Sequence, residues 1–425
     1  MKTRLYHKTT LPNGLRVLSA PMPHTRSVAV SVYVGAGSRY ETPPQAGLAH
    51  FLEHLCFKGT ERRPTPTEIS QVIDSVGGVI NAATDRELTV FYCKVAEPFF
   101  ELATDVLADL VRRPLLALDE LEKERGVILE ELASIADSPM QMADLLLDET
   151  LWPDQPLGRD VAGSEATVKA TTREMVVDYL RHQYVPNNIV VSVAGAVTHE
   201  RAVECVGEAF GDWERGVPRG WFPAVNGQRS ARAAVKYKAT EQAHVTVAVR
   251  GLPLQHPDRY PLSLLSVILG EGMSSRLALE LRERRGLAYD VHSYCSYFLD
   301  AGSFTLYAGV DPSKAQEALG ALLAELARLR DEHVADDELS RAKALAKGRI
   351  LLRMEDTRVV SDWLGAQEIL SGHIRTVDEV ADLIDAVTQD DLRRVGERLL
   401  VSDQLNLAVV GPFRSDKRFV PLLHL

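Results

Sequence analysis

Cysteine is scarce in this chain, and the few cysteines that occur lie far apart. The 425 residues contain four cysteines, and no two of them form a C-x-x-C pair. This spacing argues against a zinc ribbon or a disulfide framework, and it favours a reducing compartment. The opening stretch MKTRLYHKTTLPNGLRV lacks the apolar segment of a secretory signal. We therefore expect a cytoplasmic protein.

Long hydrophobic runs and an excess of basic residues are also missing. No run of 18 apolar residues occurs, so we expect no transmembrane span. The net charge of −11 argues against a nucleic-acid-binding protein and is compatible with basic peptide substrates. The glycine-rich GAGSR at 35–39 is not a dinucleotide-binding motif, because Tyr40 stands where G-x-G-x-x-G needs its last glycine. The composition is otherwise that of an ordinary globular protein.

The sequence HFLEH at 50–54 is the most informative motif that is present. His50 and His54 are four residues apart, so a helix would place both imidazoles on one face, and neutral imidazole nitrogens suit Zn²⁺. Glu53 lies on nearly the same face, where a carboxylate can take a proton from a metal-bound water. The order H-x-x-E-H marks the inverted zincins. On these residues alone, a helix that carries two histidines and a glutamate by accident stays an alternative.

A helical setting and a third ligand are both available. The loop-forming TPP at 42–44 precedes a helix-favouring run at 46–57, which Gly59 ends. Downstream, 119–136 is strongly amphipathic and predicts a long helix. One carboxylate from it would complete a site of two histidines and one carboxylate, with a fourth position for water. The predicted helix has five candidates: Glu120, Glu122, Glu124, Glu130 and Glu131. The residues alone do not show which of these glutamates would bind the metal, or whether all of them form a solvated face.

Six stretches of the chain resemble one known family and keep its order. The chain is similar to the pitrilysin-type (M16) zinc metallopeptidases, in particular to the two-domain branch that includes mitochondrial processing peptidase and its bacterial relatives. The resemblance implies a zinc-dependent metalloendopeptidase with one zinc ion per chain, and it argues against an accidental motif. The matching stretches are GAGSRYE (35–41), GLAHFLEHLCFKGT (47–60), NAATDRELTVFY (81–92), ERGVILEEL (124–132), GEGMSSRLALELRERRGLAYDV (270–291) and DAGSFTLYAG (300–309).

The resemblance implies roles for the residues that match the family's metal motif. His50 and His54 match the zinc ligands, and Glu53 matches the general base. In the family the third ligand ends a pattern of two glutamates seven residues apart, which Glu124 and Glu131 reproduce. Glu131 is therefore chosen over the glutamate before it, which is expected to be solvated. Glu124 is expected to orient a ligand histidine.

One residue departs from the family beside the metal motif. Cys56 stands where the family usually has an aliphatic residue or methionine. Two residues past His54, it points away from the histidine face. We therefore expect it to be packed in the interior rather than to act as a fourth ligand.

The two halves of the chain repeat one pattern. Alternating strands at 27–34 and 244–251 are each followed by a loop with proline and a helix. Pro98 and Pro312 each open a helix after a strand, and 312 − 98 = 214 residues separate them, about half the chain. We infer an internal duplication.

The duplication predicts an α+β protein of two homologous domains. We place them at 1–213 and 235–425, with a linker at 214–234 that is rich in Gly, Pro and Arg. Each domain is expected to hold a mainly antiparallel β-sheet with helices packed on one face. The resemblance implies that such chains pair into a dimer that encloses a chamber.

The resemblance also implies that two further groups of residues bind substrate. Arg282 and Tyr289 match an arginine and a tyrosine that contact the substrate near its scissile bond across a closed chamber; both side chains can donate hydrogen bonds to a substrate oxygen. Asn81, Ala82 and Ala83 match an edge strand onto which an extended peptide adds as another strand. From the residues alone, a surface arginine, a half-buried strand tyrosine and an asparagine in a turn stay alternatives.

These observations together predict a zinc metalloendopeptidase that cleaves extended peptides or unfolded segments, as a homodimer or with a related subunit. The main alternative is a non-catalytic scaffold, or the partner subunit of a heterodimeric enzyme of this type. The intact metal motif disfavours that alternative. A metal-storage module would explain neither Glu53 nor the pair of Arg282 and Tyr289.

Overall fold

The computed structural model of the chain describes residues 6–425, in two compact units. The first five residues of the stretch that lacks a secretory signal lie outside the described residues. The first unit comprises the described part of Met1–Leu132, with Asp160–Phe222 and Leu351–Thr376. The second unit comprises Ala133–Arg159, Pro223–Ile350 and Val377–Leu425.

The first unit is built on a six-stranded sheet. Its strands are β1 (His7–Thr10), β2 (Arg16–Pro21), β3 (Ser27–Val34), β4 (Val79–Thr84), β5 (Thr89–Ala96) and β6 (Ile189–Gly195). Their spatial order is β1-β2-β6-β3-β5-β4, and only β2 and β6 run parallel. The central strand β3 is buried along nearly its whole length. A strand covered on both faces is a nearly continuous run of apolar residues, and SVAVSVYV fits this although it also buries Ser31.

Helices cover both faces of this sheet. The helices around it are α1 (Leu48–Cys56), α2 (Pro66–Asp74), α3 (Phe100–Arg112), α4 (Leu118–Asp137), α6 (Glu165–Ala170), α7 (Arg173–Gln183), α8 (His199–Phe210) and α12 (Thr357–Ser371). On one face, α1, α3 and α8 enclose a core that includes Val30, Phe91 and Leu107. On the other face, α12 contributes Leu364 to a second cluster of buried residues that includes Tyr33.

The second unit is built on a five-stranded sheet. Its strands are β7 (Arg232–Tyr237), β8 (Ala243–Arg250), β9 (Ala288–Tyr297), β10 (Gly302–Val310) and β11 (Asn406–Gly411), in the spatial order β7-β11-β8-β10-β9. Its helices are α5 (Pro139–Leu151), α9 (Arg259–Gly270), α10 (Ala315–Asp331), α11 (Asp336–Arg353), α13 (Val377–Ala386) and α14 (Gln389–Leu399), with a π-helical segment at Ala278–Arg284.

In this sheet, too, helices lie on both faces. Tyr294 of β9 donates to Asp144 of α5 over 3.4 Å. The preceding residue, Ser293, contacts Ser266 of α9 over 3.2 Å. Successive side chains of a strand point to opposite faces, so α5 and α9 cover opposite faces of the sheet.

The two sheets share one topology. Without β1, the first sheet has its strands in the spatial order first, fifth, second, fourth, third, and the second sheet has the same order. In each sheet the first and fifth strands pair in parallel, and the other pairs are antiparallel. The predicted α+β class with two mainly antiparallel sheets is confirmed, and the repeated topology agrees with the internal duplication.

The units differ from the continuous domains predicted at 1–213 and 235–425. Helix α5 belongs to the unit of the second sheet and α12 to that of the first, because each buries its apolar side chains on that sheet. The sequence predicted helices on only one face of each sheet, and α5 and α12 cover the opposite faces. The last three residues of the predicted linker 214–234 form the start of β7.

Membrane-spanning helices were not expected from the sequence. Across residues 6–425, no helix is both long enough and apolar enough to cross a bilayer.

Candidate metal centre

The helix that carries HFLEH, α1, begins on a buried carboxylate. Gly47 precedes it with a φ of +93°, and a Cβ there would lie 2.4 Å from the carbonyl oxygen of Ala162, so glycine is required. Glu41 accepts hydrogen bonds from the backbone N–H groups of Gly47 (2.9 Å) and Ala49 (2.6 Å). Because the first N–H groups of a helix have no partner within it, these bonds fix where α1 begins.

Two histidines of α1 and one glutamate of α4 bring three ligand atoms together. Nε2 of His50 lies 3.3 Å from Nε2 of His54, and Oε2 of Glu131 lies 3.8 and 3.6 Å from these nitrogens. All three atoms lie within 4.8 Å of one another. Ligand nitrogens about 2.1 Å from a tetrahedral zinc ion are about 3.4 Å apart, so this donor set fits zinc. Glu130 is exposed, as expected for the glutamate that was not chosen.

The protonation of the two imidazoles follows from their neighbours. Nδ1 of His54 lies 3.0 Å from Oε2 of the buried Glu124, whose Oε1 lies 2.8 Å from Nζ of Lys58. A carboxylate that is paired with a lysine is ionised and can only accept a hydrogen bond. Nδ1–H of His54 therefore donates to Glu124, and Nε2 of His54 directs its lone pair towards the other two ligand atoms. Burial and the neighbouring His54 lower the pKa of His50 to about 4. Its imidazole is therefore neutral at neutral pH, as metal binding requires.

Glu53 stands on the same helix as both histidines. Burial raises the pKa of its carboxyl group above the ordinary value. A raised pKa suits a carboxylate that must take up and release a proton near neutral pH. The hydroxyl of Thr84, at the end of β4, donates to Oε2 of Glu53 over 2.5 Å.

Cys56 is packed in the interior. Its side chain is fully buried and forms no disulfide. Burial raises the pKa of its thiol well above the ordinary value, so the thiolate form is disfavoured. The predicted interior packing of Cys56 is confirmed.

The residues predicted to receive substrate lie on an edge strand. Strand β4 is last in the order of the first sheet, so one side of its backbone has no neighbouring strand among the described residues. Asn81 and Ala83 are exposed, whereas Ala82 packs towards the core. The hairpin with β5 closes at Thr84, which pairs with Thr89. Asn81 is thus a strand residue and not a turn residue, and its role in substrate binding stays a prediction.

Arg282 and Tyr289 lie in the second unit and contact each other. Arg282 belongs to the π-helical segment, and Tyr289 belongs to β9, the edge strand of the second sheet. The guanidinium carbon of Arg282 lies 4.9 Å from the centroid of the Tyr289 ring, a cation–π contact. Tyr289 is 80% exposed, so it is not the half-buried tyrosine that the alternative requires. Their role in substrate binding stays a prediction.

Three residues that support the candidate site were not found from the sequence. Glu41 fixes the start of α1, Lys58 pairs with Glu124, and Thr84 binds Glu53. The sequence did contain a signal for Thr84, because it is a polar residue on the face of β4 where the other residues, Ile80 and Ala82, are apolar. Glu41 and Lys58 offered no such signal, because a charged residue near a helix end is common.

Comparison with known proteins relates these features to a family. Residues 16–165 match the family model described as "Insulinase (Peptidase family M16)", and residues 170–345 match "Peptidase M16 inactive domain". The chain is 38% identical over 414 residues to an "uncharacterized zinc protease" of Streptomyces coelicolor, covering 96% of this chain and 90% of the relative. It is 34% identical over 405 residues to a Bacillus subtilis protein of the same description, covering 95% and 97%. Its fold is similar to the crystal structure of a protease from Helicobacter pylori, with a TM-score of 0.90 and 25% identity over 96% of this chain and 99% of that one.

Proposed function

The chain belongs to peptidase family M16, and from this premise we propose that it is a zinc-dependent metalloendopeptidase with one zinc ion per chain. The observation that carries the proposal is the close group of His50, His54 and Glu131, with Glu53 on the helix of both histidines. Relatives that align along nearly the whole chain are named zinc proteases. A scaffold protein has no need for such a group.

The chemistry divides between the metal-ligating residues and Glu53. His50, His54 and Glu131 would hold the zinc ion, and Glu124 keeps His54 in the tautomer that a metal requires. Zinc bound there would polarise a water molecule and lower its pKa to about 7. Glu53 takes the proton from water and later delivers it to the amine nitrogen of the leaving peptide.

The substrate class follows from the edge strand. An extended peptide pairs with the open backbone side of β4 at Asn81, Ala82 and Ala83, and this pairing is largely independent of the peptide's side chains. A folded protein cannot offer an extended segment without local opening. We therefore infer that the substrates are flexible peptides and unfolded segments.

The second unit would assist the same reaction. The guanidinium of Arg282 and the hydroxyl of Tyr289 are hydrogen-bond donors that suit a peptide carbonyl and the oxyanion formed from it. Their mutual contact supports the assignment as a pair. As in the resembling family, we propose that the chain acts as a dimer, either with itself or with a related subunit.

The purified chain alone provides the direct test. We expect about one zinc ion per chain by metal analysis, cleavage of a quenched fluorescent peptide, and loss of cleavage after chelation with recovery on adding zinc. Zinc binding without cleavage until a related subunit is added would instead favour the partner-subunit alternative.

Glu53→Gln separates metal binding from hydrolysis. The amide cannot accept the proton, so we expect zinc content to be kept and the rate to fall about a hundredfold or more. A zinc-loaded Glu53→Gln variant with nearly full turnover would remove the basis of the proposal.

A further inference from the structure

The last residue of the edge strand breaks an apolar row. On β4, the side chains of Ile80 and Ala82 pack against the core that includes α1, and Thr84 follows on the same face because strand side chains alternate. A hydroxyl is not needed there for packing. It donates instead to Oε2 of Glu53 over 2.5 Å.

The directions of these hydrogen bonds follow from the number of protons. The hydroxyl of Thr89 lies 2.9 Å from the carbonyl oxygen of Ala36 and 3.4 Å from Oγ1 of Thr84. A hydroxyl can donate only one hydrogen bond. The Thr89 hydroxyl donates to the carbonyl oxygen of Ala36, which is closer than Thr84 and can only accept. The proton of Thr84 is therefore directed at Glu53, whose Oε2 acts as acceptor.

The turn after Thr84 is held in place by the segment that follows β3. The backbone N–H of Ser38 donates to the carbonyl of Asp85 (3.2 Å), and that of Arg39 donates to the carbonyl of Arg86 (2.8 Å). The guanidinium of Arg39, which is fully buried, also pairs with Glu87 over 2.5 Å. Breaking a buried ion pair is costly, so this contact keeps the turn in one arrangement. Thr84 therefore meets Glu53 in a fixed register.

We propose that Thr84 is a positioning residue, whose hydroxyl holds Oε2 of Glu53 so that Oε1 is the atom that takes the proton from water. The strand that receives the substrate thereby also orients the base. The proposal deepens the proposed function and rests on it, since it assigns Thr84 to the same hydrolysis.

Removal of the hydroxyl tests this role. In Thr84→Val, we expect kcat for a quenched fluorescent peptide to fall about ten- to a hundredfold, with KM changed by no more than about twofold, because a misplaced base slows the chemical step without removing substrate contacts. Zinc content and melting temperature are expected to stay as in the unmodified chain. Thr84→Ser keeps the hydroxyl and should recover most of kcat.

Thr89→Val is the matched control. It removes a buried hydroxyl from the same hairpin that does not contact Glu53, so kcat should stay close to that of the unmodified chain. Equal loss of kcat in both valine variants would assign the effect to hairpin packing and overturn the proposal, as would a serine variant that stays impaired. If Thr84→Val folds poorly, Thr84→Ala removes the hydroxyl without adding a methyl group and must show the same loss.

The two proposals fail in different ways. Full activity of zinc-loaded Glu53→Gln would defeat the proposed function itself. An inactive Glu53→Gln together with a fully active Thr84→Val would defeat only the role of Thr84.

Discussion

The two units have the same strand order, yet equivalent helices in them carry different side chains. In the first unit, α1 lies along the chain between β3 and β4 and carries His50, Glu53 and His54. In the second, α9 lies between β8 and β9, and its sequence RYPLSLLSVILG contains no metal-ligating side chain. Leu264 and Leu265 of α9 are buried. The two units thus share one framework, while only α1 carries the residues of the proposed metal site, so topology alone does not locate such a site.

The edge strands of the two sheets extend this comparison. Strand β4 offers an open backbone side next to the helix of the metal motif. Strand β9 is the equivalent edge of the second sheet, and Tyr289 lies exposed near its start. The proposed function would place hydrolysis in the first unit and an auxiliary substrate contact in the second. Variants in the two units should separate these tasks.

The largest effect is expected from the third metal ligand. Glu131→Gln removes the charged carboxylate from the proposed ligand set, so zinc content and peptide cleavage should both be lost. Zinc affinity should fall by more than the about ten- to hundredfold that is lost when a hydrogen-bond partner of a metal ligand is removed. Glu130→Gln, with the same change of charge on an exposed neighbour, should keep both. Metal analysis after dialysis against a weak chelator measures the difference. Equal zinc content in the two variants would show that the wrong glutamate was chosen.

A second variant asks whether the second unit contributes to chemistry at all. Tyr289→Phe keeps the ring that contacts Arg282 and removes only the hydroxyl. Loss of a donor to a developing oxyanion costs about a hundredfold in rate, so kcat/KM should fall by about that factor at unchanged zinc content.

Arg284→Ala serves as its control. This arginine lies in the same π-helical segment but is exposed and pairs with Glu280. Its removal should leave the rate close to that of the unmodified chain. If Tyr289→Phe were as active as the unmodified chain, the hydroxyl of Tyr289 would have no part in the reaction.

A smaller effect on zinc binding is expected from Glu124, which contacts His54. Glu124→Gln can still accept from Nδ1 of His54 but loses the charge that pairs with Lys58, so zinc affinity should fall about tenfold. Competition with a chelating dye measures it. Glu122→Gln, on the exposed side of α4 beside Arg125, should not change the affinity. No change for Glu124→Gln would mean that the negative charge of Glu124 does not contribute to zinc affinity.

The sequence predicted the elements whose evidence is local. Strands β3 and β8 and helices α1 and α4 all follow from hydrophobic periodicity and turn residues. The places of α5 and α12 did not follow. Periodicity shows that a helix has an apolar face but not which sheet it meets, and each of these helices packs on a sheet of the other half of the chain.

The candidate site shows the same limit. HFLEH is contiguous and was visible at once, whereas the choice of Glu131 over Glu130 needed the family resemblance, because both glutamates lie on one helix. Thr84 was missed, since it meets Glu53 from 31 residues away and only after the hairpin folds over α1.

The smallest effect on rate, and the last test of the comparison, concerns how the two equivalent helices begin. Glu41→Gln leaves one carbonyl oxygen for two buried N–H groups at the start of α1, so one of them loses its acceptor, at a cost of about 2 kcal/mol in the free energy of unfolding. Asp258→Asn, at the start of α9, weakens the ion pairs with the half-exposed Arg394 and Arg398 and the contact with His256, and such exposed pairs contribute about 0–1 kcal/mol. Thermal unfolding should therefore show a larger drop in melting temperature for Glu41→Gln, with the rate per zinc-loaded molecule unchanged in both variants. Equal drops would mean that α1 and α9 are anchored alike, and the difference between the units would then rest on the metal-ligating side chains alone.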